Sequence, residues 1–198
     1  KYVATTFREA RDQAYRFAAG LLSMGIRKGD RIALLSESRT DWVISELGVL
    51  HTGAVSVPLS ILLKEGPDLK FRLDHSGSRW IIVSGLQYAK IKPIKKELPE
   101  LEKIILIDQK ENQSDDEISM DEVKKKGDEY LKLNNDRFIE VMKSIGPDDY
   151  ANICYTSGTT ADPKGIILSH RNFTANIEQS LTLFDVPDWW STLLILPW

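Results

Sequence analysis

Near the start of the chain, apolar residues recur at spacings of three and four: Phe7, Ala10, Ala14, Phe17, Ala18 and Leu21. This period gathers them on one face of a helix, and Gly25 is placed to end that helix in a left-handed turn. The pattern then switches. Residues 31–35 (Arg-Ile-Ala-Leu-Leu) form a short apolar run that predicts a buried strand. A second helical pattern covers 40–51, with Ser38 and Asp41 spaced for a capping box. Gly53 closes it before a strand at 54–57. Pro67 is suited to open a third helix running through Leu73. Residues 80–83 and 103–107 are further strand candidates. Helical and strand periods alternate in this way along the chain, which predicts an α/β fold with a mostly parallel sheet flanked by helices.

Between 108 and 149 the pattern loses its apolar strands. Positions 112–117 (Asn-Gln-Ser-Asp-Asp-Glu) carry no apolar residue and predict an exposed loop, followed by surface helices over 120–130 and 134–144. Lys124, Lys125 and Lys126 sit among acids and read as a solvated helix face. Two apolar runs then return, at 151–155 and 166–168, with a polar segment between them. A further helix is expected over 173–183, with Phe173, Ile177 and Leu181 on one face.

Composition changes this picture little. At 198 residues and 42% hydrophobic the chain can bury a core of its own. Its formal net charge of −3 gives no electrostatic reason to expect nucleic acid as a partner. No apolar stretch approaches the ~20 residues that span a bilayer. The single cysteine, Cys154, excludes an internal disulfide and suggests a reducing, cytoplasmic setting; its apolar neighbours make it a buried small hydrophobe. His51, His75 and His170 lack metal-ligand spacing, so no metal is assigned to them. His51 and His75 read as structural residues near turns. His170 precedes a helix start, where it serves either helix entry or the support of the preceding loop. Trp189 and Trp190 are expected in the core.

The chemistry is concentrated in residues 155–165, Tyr-Thr-Ser-Gly-Thr-Thr-Ala-Asp-Pro-Lys-Gly. A strand, a short polar loop and a second strand would let many hydroxyls and backbone N–H groups converge on one anion, with Lys164 adding a positive charge. The Walker nucleotide loop does not fit. It needs Gly-Lys-Ser/Thr opening a helix, whereas here Lys164 precedes Gly165 and β-branched residues follow. Pro163 fixes its own φ and biases Asp162 towards an extended conformation. The plain alternative is a Ser/Thr-rich hairpin turn, but a turn does not require the five small polar residues 156–160.

With these residues in view, the segment resembles the phosphate-binding signature of the AMP-forming adenylating enzymes: acyl-CoA synthetases, luciferases and peptide-synthetase adenylation domains. Their pattern is Thr-Ser-Gly-Thr-Thr-Gly-x-Pro-Lys-Gly. Ala161 stands where that pattern has its last glycine, and alanine resists the positive φ and close phosphate approach that glycine permits. The neighbouring Pro-Asp-Asp-Tyr-Ala-Asn-Ile (147–153) and Ser-His-Arg-Asn (169–172) are similar to the flanks of this motif in long-chain fatty acyl-CoA ligases. Ser-Glu-Ser-Arg-Thr-Asp-Trp (36–42) resembles the Asn-Arg-x-Glu-Trp region of the same enzymes. Gly-Ala-Val-Ser-Val-Pro-Leu (53–59) and Asp-His-Ser-Gly-Ser (74–78) resemble two further superfamily segments, in order.

The resemblance implies that residues 1–198 are the N-terminal part of a large AMP-binding (adenylation) domain, with the phosphate loop between two strands. The remainder of that domain and a small C-terminal domain would lie beyond Trp198, and the piece alone is expected to be inactive. It implies a ligase forming a carbon–sulfur bond. A fatty acid attacks the α-phosphorus of ATP, giving acyl-AMP and pyrophosphate, and CoA then displaces AMP, with Mg²⁺ as the usual metal. Thr156, Ser157, Gly158, Thr159 and Thr160 would hold the β- and γ-phosphates, Lys164 would steady the loop or the pyrophosphate charge, and Pro163 and Gly165 would shape the turn. No general base and no metal ligand are assigned among the 198 residues. An aryl, short-chain or amino acid substrate, or a non-catalytic nucleotide-binding module, are the alternative readings. Peripheral contact with the inner membrane surface is left open, since the lipid substrate resides there.

Overall fold

The computed structural model describes residues 4–64, 66–109, 113–156, 163–183, 187 and 189–191. Helix α1 spans Phe7–Ser23. Its first turn is closed by a capping box, Thr6 accepting from the Glu9 N–H while Glu9 accepts from the Thr6 N–H. It ends as expected: Gly25 takes φ 96°, its N–H reaches the Leu22 carbonyl, and the Ile26 N–H reaches that of Leu21, the paired bonds of a Schellman motif. Phe7 departs from the expected apolar face, being 77% exposed, whereas Ala14, Phe17, Ala18 and Leu21 are buried.

Strand β1 (Arg31–Leu35) and helix α2 (Thr40–His51) follow at the predicted positions. The capping box at Ser38 and Asp41 does not form. The N-cap is Arg39, without a side-chain cap, and its guanidinium instead pairs with Asp41 at 2.9 Å and Asp108 at 2.8 Å. Strand β2 is Val55–Pro58, helix α3 Pro67–Ser76, strand β3 Ser78–Val83, helix α4 Gly85–Ile91 and strand β4 Lys103–Leu106. Strand β5 (Glu117–Ser119) lies where only loop was expected, and it runs into helix α5 (Met120–Lys143). The two helices expected over 120–144 are one run, broken at Asn134, which leaves helical geometry at φ −135°, ψ 30°. Lys124 is not solvated: it is 7% exposed and donates to Gln13 on α1 at 3.0 Å, while Lys125 and Lys126 are exposed. Strands β6 (Tyr150–Thr156) and β7 (Lys164–Ser169) and helix α6 (His170–Leu183) complete the described elements.

Among the described residues these strands form one seven-stranded sheet in the order β5-β4-β3-β1-β2-β6-β7. It is parallel except for β7, which runs antiparallel to β6. Helices cover both faces, so the strands read as near-continuous apolar runs rather than alternating ones. On one face Phe17 and Leu21 of α1, Ile44 and Val49 of α2 and Val123 of α5 pack on Ile32, Leu34, Ile82 and Ile105. On the other, Leu69 and Leu73 of α3 and Ile91 of α4 pack on Ala33, Leu35, Val57, Ile81, Val83 and Leu106. Helices α1 and α5 cross where Gly20 meets Gly127. A Cβ on Gly127 would fall 1.7 Å from the Arg16 carbonyl oxygen, and one on Gly20 would fall 2.0 Å from that of Val123. Beside this crossing Arg16 and Asp128 form a two-pronged pair at 2.6 Å.

At the end of the described chain the expected helix forms as α6, with Phe173, Ile177 and Leu181 on one face, 38%, 56% and 56% exposed, and one expectation fails. Trp189 and Trp190, expected in the core, are 80% and 45% exposed, with no described layer over them.

Candidate functional site

The polar loop hangs between β6 and β7. The antiparallel register runs Ile153↔Ile167, Cys154↔Ile166, Tyr155↔Gly165 and Thr156↔Lys164, so Thr156 and Lys164 face each other across the last rung. Both are exposed. Of the residues expected to hold phosphate, Ser157, Gly158, Thr159 and Thr160 lie outside the described residues, as do Ala161 and Asp162. Pro163 leads directly into β7. Gly165 is a strand residue rather than part of the turn, and its φ is not positive. What it offers is room: a Cβ there would lie 3.1 Å from Ile153 and 3.5 Å from the ring of Tyr155.

Side chains alternate along a strand, and this divides β6 into two working faces. Ile153 and Tyr155 pack towards α3. The Tyr155 hydroxyl lies 2.8 Å from His75 Nδ1 and donates to the Arg72 carbonyl at 3.3 Å, with the Arg72 guanidinium 5.7 Å from the ring centre. Burial pushes the Tyr155 phenol pKa up, so it stays a neutral hydroxyl, anchoring to α3 the residue next to Thr156.

The opposite face carries Asn152 and Cys154. Asn152 Nδ2 donates to Glu46 Oε1 of α2 at 3.1 Å, Ser56 Oγ of β2 donates to Glu46 Oε2, and Cys154 Sγ donates to Asn152 Oδ1 at 3.0 Å. Cys154 is thus half-buried and hydrogen-bonded, not the buried hydrophobe expected; burial and the nearby Glu46 carboxylate both push its pKa up.

Glu46 keeps some exposure as a residue, but its carboxylate lies deep between α2, β2 and β6, and burial raises its pKa against the two hydrogen bonds that lower it. The folded chain therefore holds this proton more tightly than the unfolded chain. Its contribution to stability is present below the ordinary carboxylate pKa, ~4.3, and is lost as pH rises through the folded value. Glu46→Gln cannot ionise, so the melting temperature of the wild type is expected to fall relative to E46Q between pH 4 and pH 8. The gap should widen steadily as pH rises across that interval. A gap that is constant with pH would contradict the buried, protonatable carboxylate.

His170 is not brought to the loop. It opens α6 at the far end of β7, roughly 17 Å of strand away from Lys164. Its N–H donates to the Asp149 carbonyl at 3.0 Å, and that of Arg171 to Pro147 at 2.7 Å, while burial lowers the imidazole pKa. Its described role is helix entry. His51 lies in the last turn of α2 and His75 near the end of α3. A cleft of about 600 Å³, lined by Lys28, Arg31, Gly53, Asp149 and Tyr150, opens at the amino ends of β1, β2 and β6. That is the end of the sheet remote from the loop, and its Lys28 is paired with Asp149 at 2.5 Å. Parallel α/β sheets bind ligands at the carboxyl ends of their strands, where β6 delivers Thr156.

Sequence reasoning singled out the loop and missed the contacts that anchor the strand leading into it, through Glu46, Ser56, Asn152, Tyr155 and His75. Glu46 left a trace, as the one charged residue in the run Trp42-Val-Ile-Ser-Glu-Leu.

Comparison with known proteins agrees with this geometry. The chain is 28% identical over 181 residues to "Long chain acyl-CoA synthetase 7, peroxisomal" of Arabidopsis thaliana, covering 91% of this chain and 26% of that protein. The crystal structure of coronafacic acid ligase from Pectobacterium brasiliense superposes with a TM-score of 0.72 at 27% identity, over 88% of this chain and 31% of that one. The anthranilate CoA ligase AuaEII, solved in complex with anthranoyl-AMP, gives 0.69 at 26% identity, over 87% and 31%. The chain thus spans about a quarter to a third of these proteins. The AMP-binding enzyme family profile matches residues 1–197, in keeping with the parallel sheet and the loop at its carboxyl end: the chain belongs to the AMP-binding enzyme family.

Proposed function

We propose that residues 1–198 supply the pyrophosphate-binding end of an adenylating ligase, which activates a fatty acid as acyl-AMP and passes it to CoA. A carboxylate cannot accept a thiol directly, because its leaving group would be oxide. Attack of the carboxylate on the α-phosphorus of ATP breaks the bond to pyrophosphate and makes AMP the later leaving group. The observation that carries this reading is the rung Thr156↔Lys164, which sets one hydroxyl and one cation at the foot of the loop, at the carboxyl end of a parallel-sheet strand. Thr156, Ser157, Gly158, Thr159 and Thr160 would hold the β- and γ-phosphates through hydroxyl and N–H donors, and Lys164 would offset their charge. Pro163 constrains the chain as it re-enters β7.

Among the described residues no cluster of three or more His, Cys, Asp or Glu could cage a metal. The hydroxyl-rich donor set suits Mg²⁺ arriving on the nucleotide, since this ion is usually held by substrate phosphates and water with few protein ligands. When bound it would neutralise phosphate charge, and Thr156 is the described residue whose hydroxyl could reach it.

The intact protein is expected to catalyse ATP–pyrophosphate exchange fastest with a long-chain fatty acid such as palmitate, compared with acetate, benzoate, anthranilate and amino acids. Exchange led by anthranilate or benzoate would replace the fatty acid reading with the second one, an aryl or other non-lipid acid. That alternative is favoured by the similarity to the anthranilate and coronafacic acid ligases. No helix among the described residues is long and apolar enough to cross a membrane. We place the protein in the cytoplasm on the strength of the lone Cys154, although the plant relative is named as peroxisomal.

A further inference from the structure

We propose that Glu46 is a positioning residue for the phosphate loop, acting through Asn152 to fix where β6 ends; this rests on the reading of Thr156 to Lys164 as the nucleotide-phosphate site. Strand β6 pairs with β7 at six positions, but its ladder to its parallel neighbour is the shortest in the sheet. Strands β1 and β2 pair at four positions and β1 and β3 at five, whereas β2 and β6 pair at one, Ser56↔Asn152. At that single rung a third element intervenes. The Glu46 carboxylate, from the middle of α2, accepts from Ser56 Oγ with one oxygen and from Asn152 Nδ2 with the other. One side chain therefore grips both strands where the backbone ladder is shortest.

The Asn152 amide has both ends engaged, since its Oδ1 accepts from Cys154 Sγ. This fixes the amide orientation and ties in a residue two short of Thr156, on the same face of the strand. Among the described residues Glu46 takes part in no ion pair, so its carboxylate has no cation to offset its burial. A glutamine reproduces the geometry: its Oε1 can accept from Asn152 and its Nε2 can donate to Ser56 Oγ. Alanine leaves Asn152 Nδ2 buried without that partner and frees β6 to slide against β2. Both act through strand placement and touch no substrate.

The test uses the intact protein, with its preferred acid and ATP–pyrophosphate exchange. Glu46→Ala and Asn152→Ala are each expected to raise KM for MgATP about tenfold, while KM for the acid stays within twofold. Glu46→Gln is expected to restore KM for MgATP to within twofold of wild type. The double variant E46A/N152A should be no worse than either single variant, because both break one link. Ile105→Val, in the core on β4, four strands away from β6, lowers stability without touching β6 and serves as the control for general softening; it should leave KM for MgATP unchanged. If KM for MgATP tracks melting temperature across all these variants, or if N152A leaves it unchanged, the positioning role is overturned. Should E46A fail to fold, N152A and E46Q still decide it. A wild type that exchanges pyrophosphate with no acid overturns the underlying reading instead, which separates the two failures.

Discussion

Gly127→Ala is expected to lower the stability of the intact protein by about 3 kcal/mol, the upper end of the range for overpacking. Most inserted methyl groups are accommodated by neighbouring side chains that rotate away. Here the obstruction is backbone. The new Cβ would lie 1.7 Å from the Arg16 carbonyl oxygen, 2.7 Å from its carbon and 2.9 Å from the Gly20 nitrogen. Relief requires α1 and α5 to separate, which would open the packing of Phe17, Leu21 and Val123 and stretch the Arg16–Asp128 pair. Alanine's better helix propensity returns only about 1 kcal/mol. Calorimetry should show the transition falling by roughly 6–12 °C. Gly25→Ala is the internal comparison. That glycine also resists substitution, through its φ of 96°, but nothing lies within 4 Å of its Cβ position, so about 1 kcal/mol is expected. If G127A melts no lower than G25A, the backbone-to-backbone crossing of α1 and α5 is wrong.

Lys164→Ala is expected to reduce ATP–pyrophosphate exchange tenfold or more in the intact protein, and Lys164→Arg to recover part of that loss. Developing charge on the departing pyrophosphate is stabilised by fixed donors and cations close to it. Lys164 stands exposed on the final rung opposite Thr156, so it is available to an anion at the loop. Arginine keeps the charge but spreads it over a planar fork on a different stem, so it replaces a point cation imperfectly. Thr159→Ala should show a comparable loss if the loop hydroxyls contact phosphate. Unchanged exchange in K164A and T159A would remove the phosphate assignment from this loop.

The apolar runs made most of the fold legible. Residues 32–35 and 80–83 are buried, as short apolar runs are when a parallel strand is covered on both faces. Strand β5 escaped because it has three residues, Glu117, Ile118 and Ser119, two of them polar and buried by edge pairing with β4. Helix α4 escaped because it is only seven residues long, starts on Gly85 and has no side-chain cap. Capping was misplaced rather than absent. The boxes formed are Thr6/Glu9 and Ser119/Glu122, both with the Ser/Thr-x-x-Glu spacing, while at Ser38 the competing Arg39 pairs with Asp41 and Asp108. The loop stood out because five small polar residues lie together at 156–160. The contacts anchoring β6 did not, since Glu46, Ser56 and Asn152 come together only through topology, and no local spacing encodes a contact between a helix and two strands.

The sheet order also bears on how the protein assembles during synthesis. Strands β1 to β5 and helices α1 to α5 precede β6 in the chain, yet β6 docks beside β2, which is made well before it. Its one rung to β2 joins residues roughly a hundred positions apart, a closure that is entropically slow. A growing chain can build the β5-β4-β3-β1-β2 platform before Tyr150 is made, in the N-terminal-first manner of nascent chains. Until then β2 presents an unpaired edge to the cell, with Ser56 and the Glu46 carboxylate beside it. An open, unpaired edge invites pairing with foreign strands, so the late arrival of β6 is what closes that edge of the sheet.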